Sequence, residues 1–407
     1  MNLETVLQSH QRLAGAMLAA GLCTSPLAQA GATFKIDETK GISIGAGLRT
    51  SFAATEDSAG DRTKDFTGHA SKWSTDFNLD NIRLYLNGQL FEYLKLEFNT
   101  ECENCSDDGD LRVLDAIGKF EFNKYVNVWM GRMLVPADRA ELDGPFYHNV
   151  FEFNKTPFYP SDFSSASNEA GRFGRDDGIN IWGTLMPDGR LTYVAGVFDG
   201  LDDSLANRDD NLLYATRLSY NFLNIEQNPG YYTSSTYYGK AGDILTLGWA
   251  FQYQDDGAGT VDDPANFFGT SVDLLFEKVL PNDGVATFEG EYKYFDLDDI
   301  SAAALSDPTC FCLFEGGAYM VSALYLFPQQ VWVGQFQPYV RYTNNDPDNS
   351  SQRDEFEAGV NYVIDGHNAR VSLFYEYGDI ATKGINYTPG AQGDSVSAVK
   401  LGLQIQL

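Results

Sequence analysis

Nine basic residues, Arg49, Arg83, Lys95, Lys119, Arg217, Lys293, Arg341, Arg370 and Lys400, fall on the polar side of segments in which every second residue is apolar. Set around a wall and facing acidic groups on an inward loop, such side chains would create a transverse field that orients dipolar solutes and slows apolar ones. The same polar side carries Glu97, Glu121, Glu289, Glu291, Glu357 and Glu376. Those carboxylates offer a second reading, in which the cations are paired and hold the wall rigid, because a polar interior needs paired charges whatever it selects.

Nucleophilic chemistry has little to work with. Beyond residue 30 the histidines are His69, His148 and His367, and there is no G-x-S-x-G segment. His148, close to Tyr147 and Glu152, is the one expected to meet an interior, with a bystander role as the simpler expectation. The chain is therefore read as a non-enzyme. Cysteines occur as Cys102-Glu103-Asn104-Cys105 and Cys310-Phe311-Cys312. In an exported chain this even count argues for disulfides among Cys102, Cys105, Cys310 and Cys312, with local and cross-loop pairing both open. A CxxC…CxC metal site is the alternative, but no histidine is near, and Ser106 after Cys105 excludes haem attachment. No metal and no cofactor is expected.

The elements that would position these groups are strands. Ile42, Ile44, Ala46 and Leu48 alternate with Ser43, Gly45, Gly47 and Arg49, and Ile82, Leu84 and Leu86 alternate with Asn81, Arg83, Tyr85 and Asn87. Only Glu92-Tyr93 separates the latter strand from Leu94, Leu96 and Phe98, a link that can join antiparallel neighbours alone. Later runs repeat the rule, among them Leu245 to Tyr253, Phe356 to Tyr362 and Val399 to Leu407, the last able to close against the first. The expected fold is all-β: a transmembrane antiparallel up-and-down barrel of about 16 strands, with apolar residues outward and polar ones in a wet lumen.

Connections alternate in length. Short turns fall at Asn123-Lys124, Pro187-Asp188-Gly189, Pro281 to Gly284, Pro328 to Gln330 and Asp365 to His367. Long loops lie around Cys102–Asp110, Leu134–Asp177, Asp199–Asn211, Asp255–Asn266, Asp296–Glu315, Asn345–Asp354 and Gly378–Asp394 and hold most of the acidic residues. One nominally short turn, Asn224 to Asp243, is longer than this scheme predicts. Short turns on one rim and long loops on the other are the pattern of membrane barrels. A soluble sandwich has no reason for it.

Bulk composition agrees. With 28 Lys+Arg against 57 Asp+Glu the net charge is -29, which argues against nucleic acid as a partner. Abundant Phe (28) and Tyr (23) suit aromatic girdles. Trp73, Trp129, Trp182, Trp249 and Trp332 are expected at interfacial belts; a carbohydrate-stacking slide is the lesser alternative, for which Trp129 has the inward parity. Residues 1–30 have an apolar run from Leu13 to Leu22 and Ala28-Gln29-Ala30, the form of a cleaved export signal. Cys23 invites a lipid anchor, but Leu22 stands where that signal wants a small residue. Residues 31–407 then form one barrel, located in the bacterial outer membrane.

The order and spacing of Asn81-Ile82-Arg83-Leu84-Tyr85-Leu86-Asn87-Gly88, Leu94 to Asn99, Gly131-Arg132-Met133-Leu134-Val135-Pro136, Gly178-Ile179 and Tyr193 to Gly200 resembles the phosphate-selective porin O and P family over about half of the mature chain. The resemblance implies a sixteen-stranded barrel, usually a homotrimer, whose long third external loop folds inward. That loop is Leu134–Asp177 here. Charge departs from the family: the loop carries Asp138, Glu141, Asp143, Glu152, Asp162, Glu169, Asp176 and Asp177 against Arg139, Lys155, Arg172 and Arg175, so phosphate selectivity is not carried over. Arg132 has outward parity and is expected beyond its strand end or after a bulge.

The expectation is a porin in which outer-membrane lipid surrounds the wall and small hydrophilic solutes and ions diffuse passively. Arg83, Lys95, Lys119, Arg217, Arg341 and Arg370 of the wall, with Asp138, Arg139, Glu141, Arg172 and Arg175 of the loop, are expected to line its constriction. The acidic mouth predicts mild cation preference within about a Debye length, ~8–10 Å. The alternatives are an anion- or carbohydrate-selective channel, a barrel-embedded enzyme, and a structural or adhesive barrel.

Overall fold

Alternation in the sequence becomes a wall with two unlike faces. In the run from Ile244, the side chains of Leu247 and Trp249 are exposed to the outside while Thr246, Gly248, Ala250, Gln252 and Gln254 are buried towards the interior. The same parity holds in the first and last strands, where Leu48 and Leu401 face out and Arg49 and Gln404 are buried. Lipid outside and polar packing inside enforce this period, since a slip of one residue would invert every side chain.

The computed structural model describes residues 31–37, 39–56, 73–103, 110–158, 174–201, 206–298, 300–301, 303–304, 307, 310, 314–383 and 393–407. The expected export signal lies outside them. Strands β1 (Ala32–Lys35), β2 (Gly41–Glu56), β3 (Trp73–Phe91), β4 (Leu94–Glu103), β5 (Asp110–Glu121) and β6 (Asn127–Leu134) come first. After a helix α1 (Arg139–Tyr147) follow β7 (Arg175–Thr184), β8 (Leu191–Phe198), β9 (Leu213–Asn221), β10 (Ile244–Gly259), β11 (Pro264–Val279) and β12 (Val285–Asp296). The remainder are β13 (Gly316–Leu326), β14 (Gln330–Val331), β15 (Gly334–Pro347), β16 (Arg353–Asp365), β17 (Ala369–Gly378), a one-turn helix α2 (Ile380–Lys383) and β18 (Val396–Gln406).

All pairings are antiparallel between neighbours, and β18 closes on β2 with Gln404 opposite Arg49 and Val399 opposite Ala54. The result is a closed barrel of 16 strands, as the alternation predicts. Closure leaves no unpaired edge. The short β1 lies beside the lower part of β2, and β14 is a two-residue extension in the turn before β15. No helix among the described residues is long and apolar enough to cross a membrane. Crossing is by strands.

Aromatic residues gather where the wall meets the interface. Phe91, Tyr93, Phe122 and Phe120 stack in series along the short-turn rim, with centroid spacings of 6.0, 6.2 and 6.3 Å. Trp73, Trp249 and Trp332 are exposed on the outside, as interfacial residues are. Trp129 and Trp182 are not: their side chains point into the barrel and meet edge to face at 5.4 Å.

Several strand ends differ from the sequence reading. The loop expected at Asp255–Asn266 is a continuation of β10 and β11, which pair as far as Gly259 opposite Pro264 after a register shift. Similarly, β15 and β16 take up half of Asn345–Asp354. Arg175, Asp176 and Asp177 belong to β7 rather than to the third loop, and Cys102 to β4. Backbone pairing continues above the lipid wherever two polar strands already run side by side. Arg132 lies within β6, past Gly131 (φ +124°), and pairs with Asp177 of β7 at 3.3 Å. Its outward parity follows from plain alternation with Val128 and Met130 in an unbroken register, so neither the expected strand end nor the expected bulge is needed.

Candidate functional site in the barrel lumen

Two segments enter the lumen from opposite rims. The third loop comes in after Leu134, and its helix α1 starts at Asp138, whose carboxylate accepts from Glu141 N at 3.1 Å. Gly144 (φ +64°) then breaks the helix before Pro145, so the chain can turn and run down the inside of the wall. The second segment is the connection between β9 and β10, residues 222–243, on the short-turn rim. Its stretch from Tyr231 to Tyr238 is also inside, with Ser234, Ser235 and Thr236 fully buried. The sequence marks this turn as too long but gives no expectation that it folds inward.

The two segments form one body. Arg139 of α1 donates to Glu226 at 2.7 and 2.9 Å and to Ser234 O at 2.8 Å. Thr233 N reaches Leu142 O at 3.3 Å, and Ser235 N reaches Tyr147 O at 3.2 Å. Burial alone would raise Glu226, but the Arg139 guanidinium against it holds the carboxyl down at about 2.

Wall cations grip the third loop. Arg370 donates to the carbonyls of His148, Asn149 and Val150 at 3.0, 3.1 and 3.1 Å, and Arg49 to that of Phe151, whose ring it also covers at 4.3 Å. Arg341 takes Glu152 O at 2.7 Å and Glu357 at 2.5 Å. Arg217 takes Ala137 O at 3.0 Å and Asp273 at 2.5 and 2.9 Å. Lys293 stands between Asp138 at 2.7 Å and Glu141 at 3.0 Å. Burial opposes charge on both loop carboxyls. Lys293 overcomes it for Asp138, which lies below the usual range, whereas Glu141, buried beside Asp138, is pushed well above it.

The expected constriction residues therefore divide. Arg217, Arg341, Arg370, Asp138, Arg139 and Glu141 are consumed in packing the loop onto one side of the barrel. Arg83, Lys95, Lys119 and Arg175 stand on the other side, each with a wall partner: Glu101, Glu121, Glu97 and Asp115 respectively. Both sequence readings are present in part, because wall cations pair with wall carboxylates and also meet loop acids. Arg172, Asp162 and Glu169 lie outside the described residues.

Against β2–β7 the two segments leave a cavity of about 1000 Å³ of empty space, including that open to solvent. Arg83, Tyr85, Asn99 and Asp115 line its wall side, and Tyr147 and Tyr232 face them from the third loop and the inward turn. It shares Ser43, Asn87, Glu97 and Pro229 with a second cavity towards the short-turn rim, lined by Lys95, Lys119 and Glu121. Two adjoining cavities of mixed polar and apolar lining thus lie off-centre on one side of the lumen.

Trp129 cannot serve as a sugar slide. It is fully buried, with Tyr231 at 5.3 Å, Tyr232 at 5.5 Å and the Lys119 ammonium 3.8 Å above its ring. The inward turn covers it.

A serine, a histidine and an aspartate meet where the sequence offered only a bystander. His148 Nδ1 lies 3.1 Å from Asp143 Oδ2 and 3.3 Å from Ser235 Oγ, while its Nε2 faces Arg341 at 3.5 Å. A nucleophilic triad needs hydroxyl and carboxylate on opposite ring nitrogens. Here they share one. Burial, with Arg341 and Arg370 nearby, also drives His148 well below its usual range, so the ring is neutral. His367, expected in a short turn, is there and buried, 3.1 Å from Ser234 Oγ and 2.9 Å from Thr236 O. His69 lies outside the described residues.

Glu355, Glu357 and Glu376 converge within 4.8 Å of one another in the arrangement a metal ion would use. Lys155 of the third loop fills that place, bonded to Glu355 and, at 2.5 Å, to Glu376. Cys102 and Cys310 are disulfide-bonded. Cys105 and Cys312 lie outside the described residues, so the connectivity stays as open as the sequence left it.

No protein-family model matches the chain, and no curated protein does. Solved structures match in fold. An anion-selective porin from Comamonas acidovorans aligns over 90% of this chain and 100% of its own at 16% identity, with a TM-score of 0.58. OmpF of Salmonella typhi, in complex with daunomycin, aligns over 92% and 100% at 10% identity and 0.55. OmpT of Vibrio cholerae, an outer membrane protein described in a trimer form, aligns over 91% and 100% at 12% identity and 0.53. The chain has the porin barrel architecture of bacterial outer membranes.

Proposed function

We propose that this protein is a bacterial outer-membrane porin through which small hydrophilic solutes and ions diffuse passively along the off-centre void beside β2–β7. The observation that carries the reading is that void: adjoining cavities with charged and polar groups in their lining, which two inward segments leave open inside a wall apolar on its outer face. A water-filled path of this kind is what a diffusion channel requires. Packing on the opposite side makes it a narrow path, so the expected conductance is small. The acidic loops give it mild cation preference.

An embedded hydrolase is disfavoured by the geometry at His148. Membership of the phosphate-selective porin O and P family rests on the sequence motifs alone, and the pairing of Arg83, Arg175, Lys95 and Lys119 with wall carboxylates argues against selection for phosphate. A homotrimer is the proposed assembly, by that resemblance and by the trimer form described for OmpT of Vibrio cholerae. Cleavage after Ala30 is proposed for export, to be checked by N-terminal sequencing of the mature protein.

Purified barrel reconstituted in planar bilayers tests the central reading. Small, steady single-channel steps with a reversal potential favouring cations under a salt gradient are expected. Folded barrel that inserts yet carries no current would overturn it, and a structural role would take its place.

A further inference from the structure

Two charged side chains stand on the face of the wall that meets lipid. Arg132 follows Val128 and Met130 on the outward side of β6, and Asp177 precedes Ile179 and Ile181 on the outward side of β7. The two residues are directly opposite each other in the strand pairing and meet through one guanidinium nitrogen and one carboxylate oxygen, at 3.3 Å. Their side chains are 27% and 58% exposed. By parity both point away from the lumen.

Their height on the wall makes this costly. At ~3.3 Å per residue and a tilt of about 40°, Arg132 lies about 13 Å above the start of β6, about half-way up an apolar band ~25 Å tall. Apolar outward residues continue above it on the neighbouring strand: Ala116 of β5 stands opposite Arg132, and Val113 and Leu111, further up, are both exposed. The pair is thus an island of charge within the band and not part of the headgroup rim. Charge on the lipid face of a barrel is most destabilising near the midplane, and ionisable groups at that depth face protein or water. The strands beside the pair differ from the rest of the wall as well. β10, β12 and β13 turn Trp249, Phe288, Tyr292 and Tyr319 outward, whereas β5 and β8 present Ala116, Gly118 and Ala195. Small residues let a second wall come close.

We propose that the outer face of β5–β8 is an interface with a second copy of this chain, in which Arg132 of one copy reaches Asp177 of the next. The inference rests on the homotrimer reading and names the face that such an assembly uses. A second copy is the occupant because the patch carries both signs side by side. Rotation about an axis in front of β6 and β7 lays the cation of one copy against the anion of its neighbour, and three copies close a ring in which each guanidinium stands between two carboxylates. Arg132 has five donors in its fork and gives one to Asp177 of its own chain, so the contact with the next copy leaves the first intact. An anionic lipid would satisfy the cation only and leave Asp177 facing hydrocarbon.

The test is the mass of the full-length barrel in mild detergent, measured by size exclusion with light scattering on protein whose mobility shifts on heating, the mark of a folded barrel. Wild type should run as a trimer. Arg132→Leu combined with Asp177→Leu makes the face uniformly apolar, so the wall still suits lipid, while assembly should need about tenfold more protein. Arg132→Asp gives a copy two carboxylates and Asp177→Arg gives a copy two guanidiniums. Each alone should be monomeric, and the two refolded together should assemble. Should either of these not fold, the leucine pair decides alone. An ion pair that acts only within one chain gives no recovery on mixing. That result, or a leucine pair that assembles as wild type does, would overturn the interface and leave the trimer to form through another face. Wild type that is monomeric here and after cross-linking in native membranes would end the homotrimer reading and this inference with it. A wild-type dimer dispersed by the same variants would end the homotrimer reading and support the face.

Discussion

Arg139 and Glu226 meet inside the barrel in a two-pronged ion pair, at 2.7 and 2.9 Å, with side chains 1% and 7% exposed. One belongs to a loop that enters from the long-loop rim and the other to a turn that enters from the opposite rim. Their contact makes the two inserts a single packed body, and the width of the remaining path is set by where that body sits.

Removing one partner should therefore loosen both inserts. Arg139→Ala leaves Glu226 buried without its cation, and breaking a buried pair in this way costs about 3–5 kcal/mol. The cost falls on docking rather than on the wall, whose strand pairing is untouched. Larger and noisier single-channel steps are expected, with heat-induced unfolding of the barrel little changed. Glu226→Gln keeps hydrogen-bonding atoms in place and should be milder. Unaltered conductance in Arg139→Ala would mean that the pair does not control the path.

The same pair predicts a response to acid. Glu226 is held at about 2 against an ordinary value of 4.5. A depressed carboxyl stabilises the docked state above its unfolded value, and that contribution is lost as pH falls from about 4.5 towards 2. Conductance should be constant from neutrality down to about pH 5 and rise below it. In Glu226→Gln this acid step should vanish, which a pH series on both proteins would show.

Gly230 holds the inward turn against Trp129. Its φ is +61°, and a Cβ there would strike the indole ring. Gly230→Ala should therefore weaken docking by roughly 1–2 kcal/mol from the left-handed backbone alone, with the clash added. Trp129 is buried under this turn, so a red shift of tryptophan emission is the measurement. No shift would place the seal elsewhere.

Much of the wall was legible because lipid permits little else. The parity of Leu247, Trp249, Arg49 and Gln404 follows from alternation alone, and so does the inward direction of Trp129. What covers Trp129 was not legible, because turn length does not encode the side of the membrane on which a turn folds back. A signal was nonetheless present: residues 228–238 contain no charged side chain, unlike the acidic external loops. The division of the cations was hidden for a different reason. Arg370 and Lys95 share the same parity, and only the path of the third loop decides that one binds its backbone and the other a wall glutamate. Strand ends such as Asp255–Gly259 were misread because paired backbone continues past the lipid, where apolar alternation stops.

The grip of the wall on the third loop is redundant, and redundancy has a measurable signature. Arg370 holds three successive carbonyls, from His148 to Val150, and Arg49 holds the next, at Phe151. Hydrogen bonds to charged groups contribute about 1.5–3 kcal/mol each. While either arginine remains, the segment between them has nowhere to go, since Gly402 behind it gives the Phe151 ring a close seat on β18. Arg370→Gln and Arg49→Gln should each change current noise and loop proteolysis only slightly. Together they should release the segment, with a coupling of about 0.5–3 kcal/mol beyond the sum of the singles, as neighbouring sites in one network show. A double variant that merely adds the two single effects would mean that each clamp acts alone, and that the loop is held chiefly by its contacts with the inward turn.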